Sequence, residues 1–181
     1  MIELRSWSRE TAGQLIDLRA RAFRKSGRDQ SYIGTWLTDL YDERAHHVVV
    51  TDDHRQVMAA VRLVFDGRWP LEDTFPQICA HKQSGVEFGR LVVERMFHAK
   101  RRVLFDLIAA ASQYCTGLGR ADLYGLVIVP FRRYLERQNV PVEVISTPLQ
   151  SYGESANAVR FDARELIRHY RIRTGEEAVQ I

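Results

Sequence analysis

Along the first part of the chain apolar residues recur at helical spacing, and further on they alternate. Leu15, Leu18 and Ala22 make one stripe over residues 9–24, which predicts an amphipathic helix with Ser8 as its N-cap. Arg19 falls four residues after Leu15 and four before Phe23, so it borders that stripe. Residues 25–45 mix polar and aromatic positions and predict a loop or short helices. "HHVVVTDDHRQVMAAVRLVF" predicts a β-hairpin with Asp52–Gln56 at its turn, and "GVEFGRLVV" (85–93) a further strand. "KRRVLFDLIAAASQYCTGLG" predicts a long helix stopped by Gly117 and Gly119. "DLYGLVIV" predicts a buried strand, and Pro130 opens the helix "PFRRYLERQ" as a first-turn proline. "VEVIST" and "NAVRFD" predict two more strands, and residues 163–171 a closing helix. Helices that alternate with hairpin-forming strands imply an α/β (α+β) fold, a mixed sheet with helices on both faces, in one domain over residues 1–181.

Three charges break this pattern. Arg62 sits in the alternation of Met58, Ala60 and Val64, where a hydrocarbon would pack without difficulty. In "GVEFGRLVV" strict alternation puts Glu87 and Arg90 on opposite faces, but Gly89 between them marks a bulge that would turn both to one side. The alternative is an edge strand with solvated charges; Val86, Phe88 and Leu91–Val93 are too apolar for a comfortable edge. Buried guanidiniums and carboxylates need partners. Arg62, Glu87, Arg90 and the pair Asp39 and Asp42 in "TDLYDE" are positioned to supply them to one another.

Composition narrows the class. At 45% apolar and 27% charged residues the chain reads as globular. No apolar run is long enough to cross a bilayer, and "MIELRSWSRE" lacks the apolar stretch of a signal peptide, so the expected compartment is the cytoplasm. Cys79 and Cys115 stand far apart without a CxxC and read as free thiols. His46 and His47 read as strand-edge surface residues, and nothing has metal-site spacing. A net charge of +3 suits nucleic acid, an acidic protein or an anionic cofactor.

The order "LRARAF", "DLYD", "VRL", "TFP", "VEFGRLVV" resembles the acyl-homoserine-lactone synthases, the autoinducer synthases of quorum sensing. That family shows Leu-Arg-x-x-x-Phe, Asp-x-x-Asp, Arg-Leu, Phe-Pro and Glu-x-x-Arg in this order. The matching residues are Arg19 and Phe23, Asp39 and Asp42, Arg62, Phe75, and Glu87 and Arg90. The resemblance spans about residues 10–168. Two positions depart from it: Asp29 stands where the family has a tryptophan, with Trp36 nearby, and Gly89 replaces the serine before the second arginine. The tryptophan belongs to the S-adenosylmethionine side of the site, so the departure bears on the amine substrate.

The resemblance implies a GNAT-type acyltransferase whose bent sheet opens at a V to admit an acyl-thioester arm. It implies acyl transfer from acyl carrier protein or acyl-CoA to S-adenosylmethionine, with lactone closure and loss of methylthioadenosine, and no cofactor. A related branch acylates free amino acids and is the second reading. In either chemistry Glu87 is the best-placed base for the attacking amine, and Arg90 and Arg62 are expected to be catalytic with it. An activated thioester requires no catalytic serine or cysteine. Backbone N–H groups at a bulge near Gly89 would hold the oxyanion. Arg19, Phe23, Trp36, Asp39, Asp42 and Phe75 fall to substrate binding; for the two aspartates, Arg19 and Arg62, structural clamping and substrate contact both fit. Arg95, Lys100, Arg101 and Arg102 make a basic rim at the start of the long helix, suited to an acidic carrier protein and to the pantetheine phosphate. Another class, a nucleic-acid-binding regulator, would account for the arginines of "PFRRYLERQ" and "RELIRHYRIR". No nucleic-acid motif accompanies them, and that class gives the charges at 62, 87 and 90 no purpose, so neither nucleic acid nor a membrane span is expected.

Overall fold

Every residue of the strand Val57–Val64 is buried, although its side chains alternate between two faces. Both faces must therefore be covered, and in this computed structural model they are. The structure describes residues 1–25, 30–94 and 101–175. Its strands are β1 (Ile2–Ser6), β2 (His46–Thr51), β3 (Val57–Val64), β4 (Gly85–Val93), β5 (Asp122–Ile128), β6 (Glu143–Val144), β7 (Leu149–Ser151) and β8 (Glu154–Asp162). The helices are α1 (Arg9–Lys25), α2 (Ile33–Leu37), α3 (Arg101–Gly117), α4 (Val129–Arg137) and α5 (Ala163–Thr174). The sheet order is β1-β2-β3-β4-β5-β8-β6, with β7 also on β8, and β4–β5 is the parallel pair.

On one face Leu15 and Leu18 of α1 pack against Val49, Ala60 and Val92. On the other, Ala59, Val61 and Leu63 meet α3, whose small Ala109, Ala110 and Ala111 let the helix lie close to the sheet, with Leu166 and Tyr170 of α5 behind. The caps follow the chemistry of the termini. The Ser8 hydroxyl accepts from the Thr11 N–H at 3.2 Å, and Asp162 accepts from the Arg164 N–H at 2.8 Å.

The expected hairpin, the strand 85–93 and the four long helices are present within a few residues of their expected limits. The sheet is mixed, with helices on both faces, as the alternation predicted. Other expectations need correction. β1 carries no strong alternation and gains its order by pairing with β2 from Ile2↔Val50 to Ser6↔His46. "VEVIST" contributes only the two-residue β6, while the last strand begins three residues earlier than expected, at Glu154, because the β7–β8 hairpin extends it. Residues 70–73 and 76–84 form 3-10 turns opened by Pro70 and Pro76. His47 is not a surface residue: its ring is fully buried beneath the loop of Asp42. The burial expected of β4 is borne out, since β3 and β5 flank it.

Candidate active site

The site grows from two irregularities in β4. The first is a bulge: Ala60 pairs with Val92 and Arg62 with Gly89, so Arg90 and Leu91 together oppose Val61. Arg90 takes the left-handed conformation, φ 53°. The second is a parting of strands. The β4–β5 ladder runs from Gly85↔Asp122 to Glu87↔Tyr124 and continues no further. At the apex a side chain on Gly125 would lie 2.5 Å from the Phe88 carbonyl oxygen, so only glycine lets the backbones approach there. Beyond it the strands diverge around a cavity of about 1040 Å³. Asp39, Arg62, Glu87 and Arg90 line one part of this cavity; Phe88, Leu104, Leu126, Phe131 and Phe161 line an apolar part.

The charged residues converge from one helix, two strands and a loop. Arg19 projects from α1, Arg62 from the α1-facing side of β3, and Glu87 and Arg90 from β4; the loop after α2 lays Asp39 and Asp42 among them. The Arg19 guanidinium grips Asp42 with two parallel bonds of 2.8 and 2.9 Å and also donates to the Leu37 carbonyl. Arg62 Nη1 donates to Asp39 at 2.7 Å and to Asp42 at 3.1 Å, and its Nη2 lies 4.0 Å from Glu87. Arg90 Nη2 donates to Asp39 at 2.7 Å and to the Thr35 carbonyl at 2.5 Å. Arg62 is thus tolerated in an apolar strand because two carboxylates surround it.

These contacts set the ionisation. Burial raises Asp39 and Asp42, but the adjoining arginines outweigh it and hold both below the ordinary carboxylate range. Burial pushes Glu87 up to about 7, only partly opposed by the Leu71 N–H at 2.9 Å and by Arg62. Burial likewise lowers His47 to about 4, so it sits neutral under the cluster.

The other expected residues divide. Trp36 lines the cavity and touches Phe23, itself fully buried, at a ring distance of 5.8 Å. Phe75 packs beside Trp69 and Leu71 rather than on the cavity wall. Arg101 lines the cavity from the first turn of α3, whereas Arg102 is exposed and pairs with Asp106 at 3.7 Å. Arg95, Lys100 and Asp29 lie outside the described residues. Cys79 is exposed and Cys115 buried, both free thiols, and neither lines the cavity. Sequence reasoning missed Tyr32 and Tyr152, which meet edge-to-face at 5.9 Å on the cavity wall, and the Leu71 N–H that fixes Glu87. A tyrosine followed by glycine in "SYGES" was the available signal for Tyr152.

Known structures share this architecture. BjaI, a CoA-dependent acyl-homoserine lactone synthase solved with MTA, superposes with a TM-score of 0.79 at 18% identity, covering 100% of this chain and 92% of its own. TofI, solved in a ternary complex with an inhibitor and MTA, gives 0.75 at 18% identity, covering 94% and 96%. An acyl-CoA N-acyltransferase from Pseudomonas aeruginosa gives 0.65 at 16% identity, covering 89% and 98%. At such identities the likeness establishes the fold, the GNAT-like fold of the lactone synthases. No curated protein sequence matches the chain significantly. The model of one family, the N-acyl amino acid synthase FeeM, matches residues 14–139, a stretch that holds all six charged residues of the cluster. The chain therefore belongs to the FeeM family of N-acyl amino acid synthases, acyltransferases of the kind its second reading anticipated.

Proposed function

We propose that this protein transfers an acyl chain from a thioester carrier, acyl carrier protein or coenzyme A, to the amine of a free amino acid. The observation that carries the reading is Glu87: a buried carboxylate titrating near 7, where β4 and β5 part and the charged and apolar portions of one cavity adjoin. A base with that pKa is ionised often enough at neutral pH to take a proton, and basic enough to hold it. Glu87 removes a proton from the acceptor ammonium, directly or through a water. The amine then attacks the thioester carbon, and N–H groups on the unpaired edge of β4 stabilise the oxyanion. Collapse breaks the C–S bond, and the departing thiolate takes up the second proton lost by the attacking nitrogen. The positions of Cys79 and Cys115 away from the cavity support direct transfer over an acyl-enzyme. In this scheme Asp42, Arg19 and Arg62 hold the loop of Asp39 against β4, the exposed Arg101 and Arg102 offer a basic rim to the carrier, and the apolar part of the cavity takes the chain.

A second acceptor, S-adenosylmethionine with lactone formation, is favoured by the similarity to BjaI, which has also been solved with SAM and isopentyl-CoA. Purified protein given an acyl-CoA or acyl carrier protein thioester with pooled amino acids should release free thiol and an N-acyl amino acid. Thiol release only with S-adenosylmethionine, accompanied by methylthioadenosine, would transfer the assignment to the second acceptor.

A further inference from the structure

Arg55, Arg90, Asn139 and Tyr152 are the non-glycine residues with positive φ among those described, and two of them meet at the cavity. Tyr152 (φ 51°) and Gly153 (φ 77°) form the two-residue loop between β7 and β8, closed by the pair Ser151↔Glu154. Positive φ at both loop positions is the pattern that favours Asn-Gly, so a tyrosine there works against its own backbone preference. Such conformations persist where the side chain's position matters. Its ring stands edge-to-face with Trp36, centroids 5.4 Å apart at 85°. The Arg90 guanidinium carbon lies over both rings, 5.2 Å from Trp36 and 5.5 Å from Tyr152.

The Arg90 side chain is only 6% exposed, and its Nη2 is engaged by the Thr35 carbonyl and Asp39. Its Nη1 is buried with no hydrogen-bond partner among the described residues, on a side chain that lines the cavity. Arg19 Nε and Arg62 Nε are also buried without a partner among the described residues, but Arg90 Nη1 is the terminal nitrogen among the three, on the cavity wall beside Trp36 and Tyr152, where an acceptor would relieve the cost of leaving it unmatched. The charge balance points the same way. Arg19, Arg62 and Arg90 face Asp39 and Asp42, which leaves one positive charge beside a Glu87 that is partly protonated near neutrality.

We infer that Arg90 Nη1, in the corner formed by Trp36 and Tyr152, binds the carboxylate of the acyl acceptor, so that the site recognises an acceptor bearing a free carboxylate. The inference rests on the proposed acyl transfer and gives its acceptor pocket a second contact: Arg90 takes the carboxylate while Glu87 faces the amine. The bulge aims the guanidinium, the aromatic corner screens it from water, and the hairpin tip, outside the stretch matched by the family model, supplies one wall.

The test compares an accepted amino acid with its own carboxamide, which keeps the amine and side chain and loses the negative charge. Wild-type protein should use the carboxamide about 10–100-fold less efficiently, the worth of a hydrogen bond to a charged group. Arg90→Gln should depress use of the free acid by a similar factor and level the two substrates, leaving the thioester KM unchanged. Tyr152→Asn should raise the acceptor KM alone while melting no earlier than wild type, because asparagine suits the loop's backbone. A carboxamide used as well as the acid, or an Arg90→Gln protein that still prefers the acid, would overturn the inference. An Arg90→Gln protein that does not fold leaves the wild-type comparison and Tyr152→Asn to decide. If only S-adenosylmethionine is acylated, the amino acid reading fails, and decarboxylated S-adenosylmethionine replaces the carboxamide in the same comparison.

Discussion

Asp42 and Glu87 are carboxylates in one charge cluster, 0% and 5% exposed, and they behave in opposite ways. Asp42 accepts from both terminal nitrogens of Arg19, from Arg62 and from the Asp39 N–H, which keeps it ionised. Among the described residues Glu87 has one close donor, the Leu71 N–H, and Arg62 stands off at 4.0 Å. Burial therefore prevails at Glu87 and loses at Asp42. The difference teaches that donor geometry, rather than depth, separates a clamp from a base. Asp42, away from the cavity, is surrounded by donors, whereas Glu87, on the cavity wall, is left short of them.

The most severe way to break this contrast is Glu87→Gln, which keeps the shape and removes the proton acceptor. We expect kcat to fall about 10²–10⁴-fold with little change in thioester KM, and raised pH to restore part of the rate. Wild-type rate should climb through about pH 7, the ionisation of Glu87. The stability sign is opposite to that of an ion pair. A carboxyl whose folded value is raised to about 7 from 4.5 makes the protein lose stability as pH rises between those values. Glu87→Gln should therefore melt no earlier than wild type at pH 8. Early melting with normal turnover in the cold would instead make Glu87 a structural residue.

Asp42→Asn should act through stability. It leaves the buried Arg19 without its carboxylate and takes from Arg62 one of its two hydrogen-bonded ones, and we expect a loss of about 3–5 kcal/mol in denaturant titration, with turnover largely retained by the protein that stays folded in the cold. The wild-type contribution should be present above the ordinary carboxylate range and vanish as pH falls below it, since the folded value is lowered. A stable Asp42→Asn protein that cannot turn over would place Asp42 with the substrate.

The smallest effect concerns His47. Its folded value near 4 lies below the usual 6.5, so the unfolded chain binds the extra proton and stability falls as pH drops from 6.5 towards 4. His47→Gln should flatten that slope in melting curves, and an unchanged slope would mean that the ring opens to water.

Where a residue's neighbours in sequence were informative, the site could be read in advance. Arg62 betrayed itself by interrupting an alternation, and Gly89 flagged the bulge that brings Arg90 to the same cavity as Glu87. The strand edges that Asp-x-x-Asp would reach, and the short β1, β6 and β7, depend on tertiary pairing that no local pattern encodes. His47 followed the same rule: alternation could place it on a face of β2, but only the loop at Asp42 buries that face. Tyr152 lies about sixty residues from Arg90 in sequence, and its role follows from a hairpin tip folding over a distant bulge.

The parting of β4 and β5 also bears on how the molecule breathes. β1 to β4 are joined by antiparallel ladders, and β5 is zipped to β8 from Asp122↔Asp162 to Ile128↔Ala156. Among the described residues, Gly85–Glu87 against Asp122–Tyr124 is the one ladder that joins the two halves through the sheet. The helix α3 packs across both halves, so the seam is where the sheet opens locally while the core holds. In hydrogen–deuterium exchange the amides of β3 and β8 should protect longest, while those of Phe88 and Leu126 at the seam exchange early. A thioester wedged into the gap would slow them and staple the halves together, so substrate binding and resistance to proteolysis should rise in step.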